Sequence, residues 1–141
     1  MKKIAVIYWS GTGNTEAMAD LVAAAATNAG AAVDKFTAAE FQVSSAADYA
    51  GFALGCPAMG AEQLEETEFE PMYQELRSAL NSKPVGLFGS YGWGDGEWMR
   101  TWEEDCASAG IRLAADSVTC CEAPDDAALD ACRALGKELA K

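Results

Sequence analysis

Histidine is absent from this chain of 141 residues, and 10 Lys plus Arg stand against 22 Asp plus Glu, a formal net charge of −12. Without histidine there is no Cys/His zinc site and no Ser/His or Cys/His nucleophile pair. With so few cations there is no basic footprint for a phosphate backbone, so nucleic acid is not expected as a partner. The five cysteines, Cys56, Cys106, Cys120, Cys121 and Cys132, are odd in number and never spaced Cys-x-x-Cys. Adjacent Cys120 and Cys121 are badly placed for an ordinary disulfide, and free thiols in a reducing cytoplasm are expected. No apolar run approaches the ~20 residues of a membrane span, and Met1-Lys2-Lys3 leads straight into a strand pattern rather than a cleavable signal. No general base is paired with a nucleophile, so no catalytic residue and no metal ligand is assigned.

Half of the residues are apolar, which excludes a disordered chain and suits one domain over residues 1–141. Strand and helix patterns alternate. Strands are expected at residues 4–8, 32–36, 49–56, 84–90 and 113–118, and helices at 16–29, 69–80, 98–108 and 125–140. The first strand is a continuous apolar run, as a strand covered on both faces requires. Gly30 and Gly110 read as helix stops, Asp125 or Asp126 as the last helix's N-terminal residue, and residues 37–47 as irregular or weakly helical. No repeat or linker intervenes. The pattern predicts a doubly wound α/β domain, a three-layer sandwich around five parallel strands.

Behind the first strand stands Ser10-Gly11-Thr12-Gly13-Asn14-Thr15, with a helix opening near Asn14. Loop amides and first-turn amides of such a helix converge on one concavity, where the helix dipole favours negative charge. Gly11 and Gly13 allow close approach, while Ser10, Thr12, Asn14 and Thr15 add side-chain donors. A triphosphate loop would need a Lys before Ser/Thr, and a dinucleotide loop a third glycine near Ala17; both are missing. The expected guest is one phosphate held by neutral donors; an ordinary capped turn would also produce the pattern.

Ligands of doubly wound sheets sit beyond the strands' carboxyl ends, at the point where strand order reverses. Two more unusual stretches follow strand ends there: Pro57-Ala58-Met59-Gly60-Ala61-Glu62 and Ser90-Tyr91-Gly92-Trp93-Gly94-Asp95-Gly96. Met59 and Trp93 on such loops suit the two walls of a flat aromatic ring. Core packing is the alternative for either residue alone.

Three motifs, residues 10–15, Gly-Cys-Pro-Ala-Met-Gly at 55–60 and Phe-Gly-Ser-Tyr-Gly-Trp-Gly-Asp-Gly at 88–96, resemble the short-chain flavodoxins, in particular those of clostridia and related anaerobes. The resemblance covers essentially the whole chain. It implies strand order 2-1-3-4-5 and non-covalent flavin mononucleotide (FMN), with the phosphate held by Ser10, Thr12, Asn14, Thr15 and the Gly11 and Gly13 amides. It places Met59 on the inner flavin face, Trp93 on the outer one, and Glu62 at the pyrimidine N3. Ser90, Tyr91, Gly92, Gly94 and the Asp95 backbone would contact ribityl or ring edge. Gly60 would reorient its peptide on one-electron reduction, a turn that glycine's tolerance of positive φ permits.

The implied function is a low-potential one-electron carrier that cycles between semiquinone and hydroquinone in place of ferredoxin. Carboxylates at Glu62, Glu65, Glu66 and Asp95 would raise the energy of the anionic reduced flavin. Two positions depart from close relatives. Pro57 stands where they have a polar residue able to reach the phosphate, and Ala61 where many carry Asp, so a slightly less negative flavin environment is expected. The acidic segment Glu62, Glu65, Glu66, Glu68 and Glu70 would dock basic faces of ferredoxin-dependent oxidoreductases, with a solvated helix approach as the plain alternative. A monomer is expected. The competing function is an FMN-dependent quinone or nitro reductase using a nicotinamide cofactor, disfavoured by the short loops and by the lack of basic residues for a dinucleotide. A response-regulator-like domain would need an acidic phosphoacceptor after the third strand, where Gly55-Cys56-Pro57 stands instead.

Overall fold

The computed structural model describes residues 2–60, 62–92 and 94–141. Five parallel strands, β1 (Lys3–Tyr8), β2 (Ala32–Thr37), β3 (Gly51–Gly55), β4 (Val85–Tyr91) and β5 (Val118–Cys121), form one sheet in the order β2-β1-β3-β4-β5. Strand order reverses between β1 and β3, so the two chains leaving their carboxyl ends diverge and open a crevice. That crevice is where the site lies.

Alternation along the strands sends side chains to two cores. Ile4, Val6, Ala53, Phe88 and Val118 face α1 (Asn14–Asn28) and α4 (Asp126–Ala140), against Met18, Val22, Cys132, Leu135 and Leu139. Ala5, Ile7, Phe52, Leu54, Val85 and Leu87 face the other layer, with α2 (Phe69–Leu76) and α3 (Glu97–Ser108) supplying Phe69, Met72, Tyr73, Trp98 and Trp102. With both faces covered, β1 is buried from Ile4 to Tyr8 and β3 throughout, and each large apolar side chain so buried contributes roughly 1.5–3 kcal/mol.

Helix ends follow the sequence. Ala29 caps α1 before Gly30 (φ 104°), Gly110 (φ 75°) follows α3, and the Asp125 side chain accepts from the Ala128 amide at 2.9 Å to open α4. The expected helix over residues 69–80 ends earlier as α-helix, at Leu76; Arg77–Ala79 tighten into a 3-10 turn that still delivers Leu80 to the core. Within residues 37–47, Val43 begins another 3-10 turn, Val43–Asp48.

The fifth strand lies elsewhere than expected. Residues 113–117 are not a strand: Leu113 makes one parallel bridge to Val85, the chain then leaves the sheet, and β5 begins only at Val118, opposite Phe88. Three steps along β4 match five along the edge chain, and Asp116 and Ser117 sit in the bulge. An edge strand with one free side tolerates such an insertion, and periodicity cannot register it.

Candidate functional site

At Tyr8 the first strand stops. In the loop that follows, Ser10 Oγ accepts from the amides of Gly13 (3.1 Å) and Glu16 (3.3 Å), folding the loop over the first turn of α1. Gly13 is the N-cap residue with φ 96°, a left-handed conformation that favours glycine. The Asn14 and Thr15 amides lie in the first helical turn, without intrahelical acceptors. Thr15 is buried, and its hydroxyl lies 3.3 Å from that of Ser90, which is also buried at the end of β4. This hydroxyl pair ties the start of α1 to the floor of the crevice.

Beyond β3, Cys56 is wholly buried; burial pushes its thiol up to about 12, so it is an inert filler. Pro57 ends the strand pattern, and the Ala58 amide donates to the Ser90 carbonyl at 3.0 Å, bracing one loop against the other. Met59 and Gln63 exchange backbone hydrogen bonds (2.8 and 3.0 Å), which brings the two ends of this segment side by side. Gly60 (φ 48°) and Glu62 (φ 58°) both take positive φ, which at Glu62 is uncommon for a residue with a side chain.

Between these loops opens a cleft of about 600 Å³. From the first loop it takes Ser10, Gly11, Thr12, Asn14 and Thr15; from the second, Pro57, Ala58 and Met59; from the third, Ser90, Tyr91 and Gly92. Three loops far apart in sequence thus share one wall system, polar at the α1 end and apolar along Pro57, Ala58, Met59 and Tyr91. Gly13 acts from behind as the helix cap, and the Gly60 turn is exposed at the rim.

Other expected residues lie to one side. Glu62 Oε2 accepts from the Glu97 amide at 3.0 Å, at the N-terminus of α3, whereas Oε1 is buried without a partner among the described residues. A Cβ at Gly94 would sit 2.6 Å from that oxygen, so only glycine lets the carboxylate pack there. Asp95 is engaged twice by Arg100, through its carbonyl (3.1 Å) and its carboxylate (3.0 Å). Ala61 and Trp93 lie outside the described residues.

Glu65 belongs to a different part of the structure from the one expected. It is buried, and its carboxylate accepts from the amides of Thr67 (3.0 Å), Glu68 (2.7 Å) and Phe69 (2.9 Å) and from the Thr67 hydroxyl. Burial works to raise this carboxyl, but the hydrogen bonds overrule it and hold it below its ordinary value. Glu65 therefore closes the N-terminus of α2 rather than facing the crevice. Glu62, Glu66, Glu70 and Asp105 instead rim a neighbouring groove of about 350 Å³ over Tyr73, Trp98 and Trp102.

Three further residues line the cleft: Trp9, Glu122 and Ala123. Glu122 donates its amide to the Tyr91 carbonyl at 2.7 Å. The strand-end rule would have found Glu122 and Ala123 had β5 been placed at Val118–Cys121, since they follow its carboxyl end directly.

Comparison with known proteins agrees with this geometry. The flavodoxin family profile matches residues 6–136. The chain is 44% identical to a flavodoxin of Megasphaera elsdenii, over 98% of both chains. It is 42% identical to a flavodoxin of Clostridium beijerinckii, over 96% of this chain and 97% of the other. The solution structure of the two-electron reduced Megasphaera elsdenii protein superimposes with a TM-score of 0.88, over 97% of this chain and 98% of that one. With motif loops, strand order and cleft in agreement, the chain belongs to the flavodoxin family.

Proposed function

We propose that the cleft at the carboxyl ends of β1, β3, β4 and β5 is the FMN site of a low-potential one-electron carrier. Flavodoxins are FMN-binding electron carriers that serve redox partner proteins, and this chain is one of them. The proposal concerns which residues perform each task. The observation that carries it is the convergence of the 10–15 loop, Met59 and the 90–92 loop on one cleft.

The residues present fit the cofactor. A phosphate suits the Ser10, Thr12, Asn14 and Thr15 hydroxyl and amide donors at the positive end of α1. An apolar slot beside Met59, Ala58 and Tyr91 suits a flat ring. Glu62 stands outside that slot, and its Oε1, buried without a partner among the described residues, is the carboxylate oxygen left for a ring N–H. Bound FMN supplies the one-electron chemistry. The chain's residues bind it, orient it and limit water. Gly60, with its positive φ at an exposed turn, can present its peptide to the ring edge in either sense. For Trp93 as outer wall and Ala61 beside the rim, the support is the motif alone.

Net charge and the acidic groove rimmed by Glu62, Glu66, Glu70 and Asp105 support docking of basic partner faces beside the flavin. Residues 1–141 act as one domain and, on this reading, as a monomer in solution. Among the described residues no helix is long and apolar enough to cross a membrane.

Anaerobic reductive titration of the yellow protein tests the reading. Two resolved one-electron steps are expected, with no bleaching by reduced nicotinamide alone. A single two-electron step, or nicotinamide oxidation by the protein itself, would favour the reductase. A colourless protein that refuses added FMN would sink the cofactor site.

A further inference from the structure

Trp9 follows β1 directly and precedes the 10–15 loop, and it takes part in two contacts that the cofactor assignment does not require. Its indole Nε1 donates to Glu68 Oε1 at 2.9 Å. Its six-membered ring lies so close to the loop that a Cβ at Gly11 would fall 3.1 and 3.2 Å from two ring carbons. Trp9 also lines the cleft.

Glu68 is exposed, but its backbone is fixed. It is the residue just before α2, and its amide is held by Glu65 Oε1 at 2.7 Å. A continuous set of contacts therefore runs from the buried Glu65, through Glu68 and Trp9, to Gly11 in the middle of the loop. It joins the two crevice walls, one built on β1 and the other on the segment leaving β3. A loop ordered before its guest arrives loses less conformational freedom on binding, so a contact that orders it raises affinity without touching the guest.

We propose that Glu68 and Trp9 form a strap that pre-orders the phosphate loop, with Glu68 a positioning residue for the phosphate of FMN. This rests on the assignment of the phosphate to residues 10–15. The strap has a signature that charge alone cannot produce. A carboxylate near an anion site opposes anion binding through space, so removing it would tighten FMN if electrostatics were its only effect. As the acceptor of a charge-assisted hydrogen bond, its removal would loosen FMN instead.

Dissociation constants of FMN and of riboflavin, which lacks the phosphate, are measured by flavin fluorescence on the flavin-stripped full chain. The variants are Glu68→Ala, Glu68→Gln, Trp9→Phe and the double Trp9→Phe/Glu68→Ala. Glu68→Ala and Trp9→Phe each weaken FMN about five- to tenfold and riboflavin less than twofold. The double variant is no weaker than either single one, because both remove the same bond. Glu68→Gln, which keeps an acceptor oxygen and loses the charge, stays within twofold of wild type. FMN binding that is unchanged or tighter in Glu68→Ala overturns the strap, as does an equal loss of both flavins, the mark of general loosening. Wild-type protein that binds FMN no better than riboflavin overturns the phosphate assignment itself, and the strap with it.

Discussion

Replacing Glu65 by Ala removes one carboxylate and strands three amides and a hydroxyl at the start of α2. The carboxylate accepts from the amides of Thr67, Glu68 and Phe69 and from the Thr67 hydroxyl. Thr67 and Glu68 are exposed, so water replaces much of what their amides lose, whereas Phe69 is wholly buried and its amide has less access to solvent. A lost N-terminal cap costs about 0.5–2 kcal/mol, and an unsatisfied buried donor about 1–3 kcal/mol. The two ranges together span about 1.5–5 kcal/mol. With only one of the three amides shielded, the lower half applies, about 2–3 kcal/mol, or roughly 5–10 °C in melting temperature for a domain near this size. Linkage adds a second, independent signature. The Glu65 carboxyl titrates below its ordinary 4.5 in the folded chain because hydrogen bonds outweigh burial. Its contribution is therefore complete above pH 4.5 and is lost as pH falls through the folded value. Urea unfolding of wild type and Glu65→Ala at neutral pH, and again stepwise to pH 3, measures both. A difference under about 0.5 kcal/mol at neutral pH would refute the capping argument. So would a gap that stays constant or widens into acid.

Gly89→Ala is expected to destabilise by roughly 2–4 kcal/mol in the same assay, because its Cβ would lie 2.2 Å from the Cys56 carbonyl oxygen, backbone that cannot swing aside. That carbonyl also accepts from Trp98 Nε1 at 3.1 Å, so the near-ultraviolet circular dichroism of the tryptophans should change as well. Thr15→Val keeps the shape of a buried side chain but deletes the hydroxyl beside Ser90 at 3.3 Å. FMN titration should show about tenfold weaker binding and riboflavin little change; equal affinities would remove Thr15 from the phosphate site. Reduction of a basic haem protein by the reduced holoprotein should slow steeply between low and moderate salt, and stopped-flow rates independent of ionic strength would refute docking through the acidic groove.

Strand–helix alternation, the three loops that meet in the cleft and the acidic balance are local properties, and the sequence alone was enough to read them. The continuous apolar run of β1 fits a strand covered on both faces, and Ser10 to Thr15 carry a loop chemistry that needs no tertiary information. Gly13 and Gly60 take the positive φ that their turns require. What a run of residues faces is another matter. Glu65 sits among five acidic residues between positions 62 and 70, yet three amides and a hydroxyl, arranged by the turn into α2, draw it inward while its neighbours stay at the surface or rim. β5 moved to Val118–Cys121 because register with β4, not apolar periodicity, decides where an edge strand pairs, and with it Glu122 and Ala123 entered the cleft. Trp9 reaches Glu68 across 59 positions of sequence. Such a contact depends on how two strand ends diverge at a reversal of strand order, which is a property of the assembled sheet and has no local signal in the chain.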